Sequence, residues 1–127
     1  MRLEQILEGL GEITKGKKCK GLRGIVAEGD EIMRADYEQD LKDAALISAA
    51  QRVEHYQIAA YGTVDAFAEL LGESQASSLL QQTLSEEKGT DEKLTELSRK
   101  IHSLALRTGF RIVDKEQHKA AKAGGAD

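Results

Sequence analysis

Three carboxylates sit where a helical reading of the chain expects apolar side chains: Glu54, Glu87 and Asp91. At about 100° per residue, Glu54 falls between Ile47, Ile58 and Tyr61. Glu87 and Asp91, one turn apart, fall on the face made by Leu80, Thr83, Leu84, Leu94 and Ile101. Burying an ionised carboxylate without a partner costs several kcal/mol. Three of them facing one core would be severe against a total stability of roughly 5–15 kcal/mol. The two apolar stripes carry no Lys or Arg to pair with them. A hard cation would serve, because it takes carboxylate oxygens. Helix bundles build di-iron and di-manganese centres from a lone Glu on one helix facing a closely spaced pair on another. Glu54 opposite Glu87 and Asp91 is one such half-set, with Asp91 at i+4 where the usual His stands at i+3. The same spacing also fits a partly solvated seam, in which each carboxylate reaches water along its stem.

The elements that must position these residues are helices. Leu3, Ile6, Leu7 and Leu10 recur at helical spacing before Gly11, which reads as a stop. Lys15 to Lys20 forms a basic linker. Leu22, Ile25, Val26, Ile32 and Met33 predict a second helix, interrupted by Gly21, Gly24 and Gly29, each unfavourable by roughly 1 kcal/mol against Ala. The third helix is expected from Asp40 as N-cap, with Asp43 three positions on, to Gly72. Its stripe is Leu46, Ile47, Ala50, Val53, Ile58, Tyr61, Val64, Phe67, Ala68 and Leu71. Ser74 is expected to cap a fourth long helix whose stripe runs Leu79, Leu80, Thr83, Leu84, Leu94, Leu97, Ile101, Leu104 and Ala105, with Gly109 as its breaker. The tight connection at residues 72–74 predicts an antiparallel hairpin. The reading is therefore all-α: one helical domain over residues 1–114, two long antiparallel helices plus shorter N-terminal ones, and a flexible tail over residues 115–127.

Bulk properties agree and exclude some functions. The 127 residues hold no Pro and no Trp, and aromatics are 4%, which favours helix over strand. A net charge of −4 argues against a general nucleic-acid binder. No stretch is long and apolar enough to span a membrane, and the charged start, Met1-Arg2-Leu3-Glu4, is unlike a signal peptide. Cys19 is the single cysteine, so no internal disulfide can form and a reducing, cytoplasmic compartment is expected.

The run from Asp43 to Gly62, with Gln51-Arg52-Val53-Glu54-His55-Tyr56 at its centre, resembles the ferritin-like YciE/YciF family, a domain of unknown function linked to bacterial stress response. So do the run from Leu80 to Leu94 and the upstream Gly16-Lys-Lys-Cys-Lys-Gly21. The likeness extends from Leu3 to about Leu97. It implies a ferritin-like bundle with a carboxylate dimetal centre of iron or manganese, and carries Glu54, Glu87 and Asp91 over as ligands. His55, turned about 100° from Glu54 on an ideal helix, is placed as a supporting or structural residue. The family begins with two long helices, each offering a carboxylate. Here the first is absent and Arg2 to Leu10 reads as the tail of the second, so the chain is expected to be N-terminally truncated and to hold half the usual ligands. Two copies about a two-fold axis would restore the set, so a homodimer is expected.

Other residues carry weaker expectations. Tyr61 shares the Glu54 face, as a core tyrosine or as a partner to a ligand; Tyr56 lies off the stripe, on the surface. Cys19, beside Lys17, Lys18 and Lys20, could be a thiolate, although a lone cysteine is more often inert. His102 and His118 lack ligand spacing. Two functions remain open: a stress-response metal protein that oxidises ferrous iron or consumes peroxide, and a non-catalytic helical oligomerisation module without metal.

Overall fold

The computed structural model describes the backbone of residues 1–123 and the side chains of residues 1–107. Four helices follow in order: α1 (Arg2–Gly9), α2 (Lys20–Arg34), α3 (Gln39–Leu70) and α4 (Ser74–Ala123). α3 and α4 form the expected long antiparallel hairpin, α2 packs on α3, and α1 packs on α4.

Two glycines end elements as expected. Gly11 has φ +72° and Gly72 has φ +74°, the left-handed conformation that reverses the chain after a helix at little steric cost. Other boundaries differ. The residue flanking α3 is Glu38, not Asp40, and its side chain makes no cap hydrogen bond; Asp40 lies in the first turn, where its charge complements the helix N-terminus. Ser74 is the first helical residue of α4 rather than the residue before it. Gly109 does not end α4, which continues to Ala123. One interior glycine is outweighed by the Arg, Lys, Glu, Gln and Ala that follow it, all good helix formers. Of the tail expected from Lys115, residues 124–127 lie outside the described residues, as does the side chain of His118.

The core is narrow. Ala68, Ala76 and Leu80 form its centre, with Ile6 of α1 and Tyr61 of α3 packed against it. Ile47, Ala49 and Ala105 are also buried. Close to this cluster Ser77 Oγ donates to Asp65 Oδ1 at 2.6 Å, which satisfies a carboxylate that is itself buried. α1 is tied down by Arg2, whose guanidinium donates to both carboxylate oxygens of Glu86 and to Thr83 Oγ1.

Much of the expected apolar stripe is not covered. Val64 and Phe67 on α3, Leu71 just after it, and Leu97 and Leu104 on α4 are exposed. The reason is one of thickness: a helical hairpin has one inner face, and the short α1 and α2 cannot cover its flanks. The chain exposes 9789 Å², against about 6,700 Å² for a compact monomer of 13.9 kDa.

Candidate metal centre

Midway along the hairpin, α3 and α4 bring together all three carboxylates singled out in the sequence. Each is partly buried. Glu54 is the most perturbed, its carboxyl pushed up to about 7. Burial is the largest cause, followed by the side-chain interaction with Glu87 and the negative charges of Glu87 and Asp91. Oε2 of Glu54 is a buried oxygen with no hydrogen-bond partner.

Asp91 is better provided for. His55 Nε2 lies 3.0 Å from Asp91 Oδ1, and Gln51 Nε2 donates to the same oxygen at 3.3 Å and to Thr95 Oγ1 at 3.0 Å. The two faces form a ladder. Gln51, Glu54 and His55 lie within little more than one turn of α3; Glu87, Asp91 and Thr95 succeed one another at i+4 on α4. His55, although rotated from Glu54, therefore reaches the same seam, because the two neighbours straddle the line of contact with α4. Gln51 and Thr95 were not anticipated. Their positions, three before Glu54 and four after Asp91, put them on the inward faces, but a polar residue at such spacing reads equally as solvated.

Tyr61 belongs to the apolar core beside Leu80. Tyr56 is at the surface, as expected, but has work there: its hydroxyl lies 3.0 Å from Cys19 Sγ. Cys19 is exposed and caps α2, accepting from the Leu22 amide at 3.4 Å. The Tyr56 contact and that amide hold its thiol below the ordinary range. His102 is exposed and makes none of the contacts of the seam.

The donor chemistry fits a hard divalent cation: carboxylate oxygens, one of them buried and unpartnered. It fits as part of a site. Among the described residues, no three His, Cys, Asp or Glu side chains close on one point as a metal ion requires.

An all-α, ferritin-like bundle with a carboxylate seam between its two long helices is the class that fold and site define. The chain belongs to the DUF892 family, a domain of unknown function, whose profile matches residues 1–107. It is 45% identical over 98 residues to the protein YciF of Escherichia coli strain K12, an alignment covering 76% of this chain and 59% of that protein. The crystal structure of the E. coli stress protein YciF superposes with a TM-score of 0.76 at 43% identity, covering 80% of this chain and 65% of that one. YcfI of Rhodopseudomonas palustris, to which a structural role is ascribed, gives 0.70 at 39% identity, covering 74% of this chain and 60% of that one. The chain thus spans about three-fifths of the curated relative it matches. No helix among the described residues is long and apolar enough to cross a membrane.

Proposed function

We propose that this chain is a ferritin-like stress-response protein whose Glu54, Glu87 and Asp91, met by the same residues of a second copy, hold a carboxylate-bridged pair of iron or manganese ions. The observation that carries this reading is the orphaned Oε2 of Glu54 beside two further carboxylates. A buried acceptor without a donor is unfavourable by about 1–3 kcal/mol, more when charged, and a cation relieves it directly. The large exposed surface and the uncovered apolar residues of α3 and α4 support association. A two-fold axis along the hairpin sets one half-site against another. Likeness to a bacterial stress protein supports the physiological setting, and an exposed free thiol at Cys19 fits a reducing cytoplasm. Iron in such a centre supplies redox chemistry suited to oxidising ferrous ions or consuming peroxide. Glu54, Glu87 and Asp91 would hold the ions.

A second reading has its own observation. Burial raises the Glu54 carboxyl to about 7, so a proton there removes part of the charge of the seam without metal, while Gln51 and His55 meet Asp91. On that reading the chain is a non-catalytic oligomerisation scaffold.

Glu87→Ala separates the two. For a metal protein the variant loses bound iron or manganese and melts lower than the loaded parent, because metal binding is folding free energy. For a scaffold it is neutral or stabilising, because a crowded carboxylate has been removed. Metal analysis of the purified variant beside its melting curve decides between them.

A further inference from the structure

α3 has two unlike halves. Its first half is covered: α2 lies along it, with Gly29 beside Ala49, Gly21 beside the Tyr56 ring, and Arg52 paired with Glu28 at 3.1 Å. Its second half is bare. Ala60, Val64 and Phe67 are exposed, as is Leu71 just after the helix. Thr63 and Leu70, also exposed, border them. A helix face that meets water ordinarily carries charge. From Tyr56 to Ala68 the single charged residue is Asp65, which is buried and accepts from Ser77 Oγ at 2.6 Å. This stretch therefore turns no charge to solvent.

The spacing says what fits there. Gln57, Ala60, Val64, Phe67 and Leu71 succeed one another at alternating intervals of three and four, the row that packs against a like row on a second helix. We propose that this row is a contact with the same row of a second copy, the two α3 helices running parallel about a two-fold axis along the hairpin. Each position then meets itself, the self-complementary pairing that a two-fold demands. Gln57, the one polar member, meets the same residue of the second copy. An amide both donates and accepts, so the two satisfy each other and fix the register. The area suffices. The chain exposes 9789 Å² against about 6,700 Å² for a compact monomer of its mass, and a standard interface needs about 800 Å² per partner. The contact shares with the proposed function only that two copies associate; it needs no metal.

The test uses the full chain in EDTA, with mass read by light scattering and helix content by circular dichroism. The parent should weigh about twice 13.9 kDa. Val64→Lys and Phe67→Glu should each halve that mass and keep the parent's helix content, because both side chains meet water in the single chain. Ile13→Glu, at an exposed apolar residue of the linker, should change neither. Register is read by cross-linking in a Cys19→Ser background. Val64→Cys should form a disulfide-linked dimer when a mild thiol oxidant is added, and Ala66→Cys, exposed but off the row, should not. A parent that is monomeric in EDTA overturns the contact; if Mn(II) then restores the dimer, the metal reading stands without it. Dimers that survive both charged substitutions overturn the contact and leave association to another face. Where a charged variant loses its helix content, the cross-link decides: no disulfide at position 64, or an equal yield at position 66, overturns the proposal.

Discussion

At Glu54 a buried carboxylate favours its proton, and on the proposed function a cation would compete with that proton. The carboxyl is pushed from its ordinary 4.5 up to about 7 by burial and by Glu87 and Asp91. A group raised in the folded state contributes stability that is complete below its unfolded value and is lost as pH rises through the folded one. The metal-free protein should accordingly lose up to about 3 kcal/mol from this one group between about pH 4.5 and 7. Glu54→Gln should match the parent near pH 4.5 and exceed it near pH 8, as read by urea denaturation at both values. A parent-minus-variant difference that is flat with pH contradicts the assignment. Metal binding runs the other way, strengthening as the proton leaves. Glu54, Glu87 and Asp91 were legible in the sequence because a charge on an apolar stripe is conspicuous. Gln51, Thr95 and the buried Asp65 were not, because each is satisfied by a partner on the other helix, and such pairing leaves no mark on either helix read alone.

Among the elements, α2 is the one the sequence made most doubtful, and its glycines have different reasons to be there. A Cβ at Gly21 would come within 2.7 Å of the Tyr56 hydroxyl, whereas one at Gly24 meets nothing within 4 Å. Gly21 is the gap that lets Tyr56 reach Cys19 and dock α2 on α3, together with Arg52 to Glu28 at 3.1 Å. Gly24→Ala should therefore stabilise the protein by roughly 0.5–1 kcal/mol through helix propensity alone. Gly21→Ala should lose that gain or fall below the parent, because the Tyr56 ring must move. Thermal melts of the two variants check this, and equal stabilisation by both would contradict the docking role of Tyr56. Hairpin and helix order could be read from periodicity and from Gly11 and Gly72, both of which take positive φ. Gly109 shows the limit of that reading. A glycine ends a helix only where the chain also turns, and neither its identity nor its spacing says whether it does.

On the scale of the whole molecule, a hairpin with one narrow inner face leaves more surface in water than a compact chain of its mass would. Exposed apolar residues, Phe67 at 59% and Leu71 at 77% among them, are part of that surface. An uncovered apolar flank is a consequence of this thinness, and on the proposed function pairing two hairpins would cover it and bring two carboxylate seams together. The most direct measurement is metal content of the purified protein together with its mass in solution by light scattering. Stoichiometric iron or manganese in a particle of about twice 13.9 kDa is the predicted result. A 13.9 kDa particle that takes up neither ion on reconstitution would contradict the account.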